Sequence, residues 1–234
     1  LATSVPLGPA LEGIGPDCGR LAGPGTITSF VLTPFGPEPR LFEGGTLAPG
    51  GRAAGISATG YLSLLALLLK TGFLLPEGQF SSDSGSLQPL ARRLLSSLDR
   101  KSAVPRLMLP GNVWLSLSDV EEILKVKAAF SVALDSLLSA AGEGVKSRVT
   151  LCIAGALGEH ADPGDLETLG FIPSGMAGAV RAVGNTSLEG AGLLGLHQDL
   201  RERLSRMCAD ISLLRPDQEQ NFHRRYIDAM HFGG

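Results

Sequence analysis

The chain has 234 residues, 44% hydrophobic and 18% charged. That is enough apolar material for a buried core, in one large domain or two small lobes, and it excludes a disordered chain. A formal charge of −3 leaves no electrostatic footprint for nucleic acid or an acidic membrane. Three cysteines, Cys18, Cys152 and Cys208, are far apart and odd in number, which fits a reducing, cytoplasmic setting better than a disulfide framework.

Residues Leu1 to Gly25 read as loop, because Gly8-Pro9, Gly15-Pro16 and Gly23-Pro24 interrupt any regular element. Thr26 to Thr33 is expected to form a mostly buried strand, Pro34 to Pro39 a turn, and Arg40 to Glu43 the returning hairpin partner. Gly55 to Leu69 reads as a helix apolar nearly all round, stopped by Thr71-Gly72 with Pro76 beyond. Its apolar run from Tyr61 to Leu69 is too short to span a bilayer. Ser81 to Ser86 is expected as a polar loop and Leu90 to Leu98 as a short helix. Arg106 to Met108 and Val113 to Leu117 are strand-like pieces around Pro110-Gly111-Asn112. The chain divides into a Gly/Pro-rich section with a β-hairpin (1–54) and an α/β lobe (55–234).

The helix that begins near Asp119 carries the clearest signal. Ser118 is a natural N-cap, with Glu121 three residues later as in a capping box. Lys127 is the one charge on a face made by Val120, Ile123, Leu124, Phe130, Leu134 and Leu137. It either snorkels to water or meets a ligand. Farther on, the apolar run Val149 to Ile153 ends in Ala154-Gly155-Ala156-Leu157-Gly158, and Cys152 within it reads as an inert buried thiol. Ala179 to Val183 ends in Gly184-Asn185, after which Thr186 to Ala191 opens a helix. Apolar strands that stop at glycine turns and feed helices are how an open α/β sheet builds a nucleotide crevice. The plainer reading is that Gly155 and Gly158 pack a strand against a helix, and that Gly184-Asn185 is a turn and cap. His160, His197, His223 and His231 have no paired metal spacing, and no phosphate-loop, dinucleotide or serine-hydrolase motif occurs.

The order of these pieces resembles the second half of an actin/sugar-kinase/heat-shock-chaperone ATPase domain. Within that superfamily it resembles the ATP-dependent reductive activators of corrinoid enzymes, whose ATPase domain was long catalogued as one of unknown function. Ala2-Thr3-Ser4, Gly8 to Gly13 and Cys18-Gly19 are similar to that family's "GPAFEGA…CG" segment. Gly55 to Gly60 is similar to its "GICGSG" turn, Asp119 to Ala129 to its "DIRELQLAKAA" helix, and Phe222 to Phe232 to its C-terminal aromatic helix. Ser57 stands where that turn has cysteine, which argues against a metal or cluster there, and Gly155-Ala156-Leu157-Gly158 stands for its "GGFG".

The resemblance implies a ribonuclease-H-like lobe, a mixed sheet flanked by helices. It also implies nucleotide contacts from Lys127, Gly155, Ala156, Gly158, Gly184 and Asn185, with Glu12, Ser57, Thr59 and Gly60 in the cleft. No catalytic residue is assigned. The implied cofactors are ATP or ADP with Mg²⁺, and an iron–sulfur cluster carried by a ferredoxin-like domain outside this chain. The implied partner is a corrinoid protein or methyltransferase, with a homodimer as a further option. No Asp-x-Gly-Thr hairpin and no Cys-x₄-Cys-x₂-Cys framework occurs. The chain is therefore expected to be the C-terminal portion of a larger activator, and to hydrolyse ATP poorly by itself. The alternative is a non-catalytic lobe that serves as a docking or dimerisation module.

Overall fold

The computed structural model describes residues 1–5, 14–82, 85, 87, 89–142 and 149–233. Strand β1 (Thr26–Thr33) and strand β2 (Gly36–Leu41) form an antiparallel hairpin. Thr33 pairs with Gly36, so the turn is only Pro34-Phe35 and not the expected Pro34 to Pro39. Pro37 and Pro39 sit inside β2, which tolerates them because it is the edge of a three-stranded sheet and needs no inward N–H at those positions. On the other side of β1 lies β3 (Gly55–Ile56), paired in parallel, so residues on both sides of position 54 share one sheet.

Helix α1 (Ala58–Lys70) leaves β3 at once, and Ser57 caps it by accepting from the Gly60 N–H. Most of its residues are buried, including Tyr61, Leu64, Leu65 and Leu68. It lies so close to β1 that a Cβ on Gly60 would stand 2.6 Å from the Ile27 carbonyl oxygen. Only glycine lets helix and strand approach in this way.

The next unit is a meander. Helix α2 (Pro89–Leu94) gives way to a 3₁₀ turn (Leu95–Ser97) and β4 (Leu98–Asp99), so the helix expected to reach Leu98 ends sooner. Strands β5 (Arg106–Leu109) and β6 (Val113–Ser116) complete an antiparallel sheet in the order β4-β5-β6. Strand β6 runs directly into α3 (Leu117–Ala141), and this moves the cap. Ser116 is the N-cap, not Ser118. Asp119, not Glu121, returns to the cap backbone, its carboxylate accepting from the Ser116 N–H at 2.9 Å. Glu121 instead faces water and pairs with Lys125 at 2.9 Å.

A two-stranded parallel sheet follows, β7 (Leu151–Ile153) with β8 (Val180–Ala182). Between them run α4 (Gly155–His160) and α5 (Pro163–Leu169). Cys152, expected to be buried, is exposed, because this small sheet leaves its face of β7 uncovered. Helices α6 (Thr186–Leu196), α7 (Gln198–Ala209) and α8 (Phe222–Asp228) complete the chain. The expected Phe222 to Phe232 helix stops at Asp228, and residues 229–233 continue as a strap whose Phe232 is buried. Among the described residues the fold is therefore mixed α/β, with strands in three short sheets flanked by helices. No described helix is long and apolar enough to cross a membrane.

Candidate functional site

A cavity of about 570 Å³ opens where the first turn of α1 faces α4. Its walls are Thr28 and Ser29 of β1, Phe42 and Glu43 beyond β2, Ser57, Ala58 and Thr59 at the start of α1, and Leu157 and His160 of α4, with Leu21 and Ala22 at the rim. The volume falls within the range of about 300–1,000 Å³ usual for small-molecule sites. Ser57 and Thr59 hydroxyls lie 2.9 Å apart, and Thr59 also donates to the Thr28 carbonyl at 3.0 Å. These bonds fix both side chains against β1. The N–H groups of Ala58 and Thr59 belong to the first helical turn and have no acceptor inside the helix, so this wall offers donors and the positive end of a helix dipole.

Two of the cleft candidates, Ser57 and Thr59, thus line one cavity together with α4, the helix that begins at Gly155. Gly60 lies below them, against β1. Gly155 has φ +86° and donates its N–H to the Gly184 carbonyl at 2.8 Å, which brings the two glycine turns side by side. Gly158 is a close-packing position, since a Cβ there would stand 2.4 Å from the Ile153 side chain. Ala156 lies between them in α4. Asn185 caps α6 through the Leu188 N–H at 3.1 Å, and Gly184 (φ +68°) makes the turn before it. Glu12 lies outside the described residues. Phe42, Glu43, Thr28 and Ser29 were not among the candidates read from the sequence, and His160 was weighed only as a metal ligand. The one local hint was Gly44-Gly45 after Glu43, a pair that marks a sharp turn but not what the turn faces.

Lys127 is not brought to this cavity. It is buried, and its ammonium donates to the carbonyls of Ala229 (3.2 Å) and His231 (2.8 Å) in the C-terminal strap. Burial pushes its pKa down to about 8. The strap and α8 before it are held at further points. Arg225 bonds Asp135, Ser136, Glu219 and the Val132 carbonyl, the Phe232 N–H reaches the Pro76 carbonyl, and Gly233 reaches Leu169. Lys127 lines a separate depression of about 370 Å³ beside Asp135, Gly170 and Arg225.

A second polar cluster, centred on the buried Asp119, organises the segment before β1. Asp119 accepts from the Asp17 N–H at 2.8 Å as well as from Ser116, and burial raises its carboxyl pKa despite those bonds. Asp17 in turn accepts from the Trp114 indole at 3.1 Å, while Arg106 lies over that ring at 5.1 Å. Burial also pushes up the Cys18 thiol, whose sulfur accepts from the Trp114 N–H at 3.4 Å. These contacts pin residues 17–19 to β6 and α3. Among the described residues no group of three His, Cys, Asp or Glu side chains is arranged to hold a metal ion.

Comparison with known proteins places this geometry. A solved structure titled "Reductive activator for corrinoid,iron-sulfur protein" superposes with a TM-score of 0.81 over 98% of this chain and 36% of its own, at 19% identity. The "[Co(II) methylated amine-specific corrinoid protein] reductase" of Methanosarcina barkeri is 27% identical over 211 residues, 80% of this chain and 34% of that protein. The chain thus spans about a third of the length of each. A family model described as "C-terminal domain of RACo the ASKHA domain" matches residues 1–234, and the chain belongs to that family of C-terminal domains of reductive activators of corrinoid proteins.

Proposed function

We propose that this chain is the nucleotide-binding lobe of a protein that uses ATP to drive the reductive reactivation of a corrinoid protein, from Co(II) to Co(I). The observation that carries this reading is the cavity between α1 and α4. It joins the two turns, Gly55 to Gly60 and Gly155 to Gly158, that resemble the family's glycine motifs, although they lie about a hundred residues apart in sequence.

The residues present fit the nucleoside part of ATP. The volume is adequate, the Ser57 and Thr59 hydroxyls and the α1 N–H groups supply polar contacts, and Phe42, Leu157 and Ala58 supply apolar wall. They fit the Mg²⁺-phosphate part less well, because Glu43 is the one carboxylate among the lining residues and phosphoryl transfer needs a carboxylate-held metal and phosphate cradles on both sides. ATP when bound supplies the free energy for an uphill electron transfer. This chain's own part is to seat the nucleoside, keep water from its apolar wall and orient the phosphates toward the α1 N-terminus. An iron–sulfur centre, a cytoplasmic setting and a corrinoid-protein partner complete the proposal for the intact activator.

Titration of the chain with ATP and ADP by calorimetry, with and without Mg²⁺, tests the reading. Saturable binding between micromolar and millimolar strength is expected, weakened several-fold in Thr59→Val. A folded chain that takes up no nucleotide would overturn it.

A further inference from the structure

The cavity contains one residue whose backbone is held at a cost. Glu43 has φ +57° and ψ +28°, the left-handed conformation that side chains avoid, and two glycines follow it directly. A non-glycine residue in that region costs about 1–2 kcal/mol. Glycine at position 43 would remove the strain, so the carboxylate needs a reason to be there. Among the described residues Glu43 has neither an ion-pair nor a hydrogen-bond partner, and it lines the cavity next to the Phe42 ring. The other polar groups on the wall include no carboxylate, and the Ser57 and Thr59 hydroxyls are held in place by the fold. Thr59 is committed to Thr28 and Ser57, and Ser57 also caps α1.

An unpaired carboxylate accepts hydrogen bonds only, with two oxygens that suit two neighbouring donors. A nucleoside's polyphosphate has no such donors at neutral pH and is repelled by it. The vicinal hydroxyls of a ribose do have them, and carboxylates in other nucleotide folds read the ribose 2′-hydroxyl in this way. Resting on the nucleotide-site reading above, we propose that Glu43 is a specificity-determining residue that binds the ribose hydroxyl pair, so that the cavity selects ribonucleotides over 2′-deoxyribonucleotides. The base then lies toward Phe42 and Leu157, and the phosphates leave toward the first turn of α1, where the donors are.

The test is a calorimetric comparison of ATP with 2′-deoxy-ATP on the 234-residue chain, its Glu43→Gln variant and its Glu43→Gly variant. A hydrogen bond to a charged group is worth about tenfold or more in affinity. The wild-type chain should therefore bind ATP about ten times tighter than 2′-deoxy-ATP. Both variants should lose that preference by weakening ATP binding and leaving 2′-deoxy-ATP nearly unchanged. Glu43→Gly should also raise the denaturation midpoint, because glycine relieves the strain, and this guards against reading a folding defect as a binding loss. Equal binding of the two nucleotides by the wild type, or a preference that survives in both variants, overturns the role of Glu43 and leaves the nucleotide site standing. A folded wild-type chain that binds neither nucleotide overturns both.

Discussion

The two halves of this molecule bury their apolar residues very differently. From β1 through α3 the hydrophobic side chains face inward: Ile27, Ile56, Leu64, Leu65, Leu107, Leu115 and Ile123 are essentially inaccessible. Leu166 and Leu169 of α5 still join that core, with Phe171 and Ile172 beyond them, but in α6 and α7 the same residue types face outward. Helix α6 buries none of its residues, with Leu188 70% and Leu196 82% exposed, and α7 buries none either. Both halves have well-formed secondary structure, so local propensity is common to the two and packing is not. The candidate cavity has its α1 wall in the buried region and its second wall on α4, whose Leu157 is only partly buried against the same core. The α1 wall is anchored within the core, while the α4 wall is tied by the Gly155–Gly184 bond, the packing of Gly158 on Ile153 and the contact of Leu157 with the core.

The comparison is sharpest where a substitution should hurt one half and not the other. Leu65→Ala removes a fully buried side chain from α1 and should cost about 2–5 kcal/mol in chemical denaturation. Lys127→Met probes the strap that closes the buried half. The folded-state pKa of Lys127, about 8, lies below its ordinary 10.5. The unfolded chain then holds more protons between those values, and wild-type stability should rise with pH across that window by on the order of 2–3 kcal/mol. The difference between wild type and variant in denaturation midpoint, followed from pH 7 to pH 10, should show this slope, and a flat difference would refute it. Asp119→Ala removes half of the α3 capping box and the anchor for Asp17. A loss of about 1–2 kcal/mol is expected, with faster amide exchange at residues 17–20. Leu196→Ala, in the exposed half, should stay within about 0.5 kcal/mol of wild type. A loss comparable to that of Leu65→Ala would show that α6 packs against something in solution.

Some of this was legible in the residues alone, and the reasons differ element by element. Thr26 to Thr33 read correctly as a strand because its apolar run is bracketed by Gly25 and the Pro34 turn. The α1 helix was clear from its length and its glycine stop, but its start was placed too early at Gly55, because Gly55-Ile56 pairs with β1 and Ser57 is the cap. The α3 cap was misplaced by two residues, because Ser116 and Ser118 are chemically equivalent and only the exit of β6 decides between them. The partners of Lys127 lie 102 and 104 residues away in the chain, so no local pattern could show them. Cys152 read as buried because its neighbours are apolar, yet burial depends on what covers the sheet. For the candidate site, Ser57 and Thr59 were found through their turn. Glu43 was missed, because nothing in the letters Phe42-Glu43-Gly44-Gly45 reveals a positive φ or the cavity it faces.

The most direct test of the account is hydrogen–deuterium exchange of the chain with and without saturating ATP. The account predicts slowed exchange at residues 57–61 and 155–160, the two walls of the cavity, with little change across α6 and α7. Protection confined to the region of Lys127 and the C-terminal strap, or no protection at all, would contradict it.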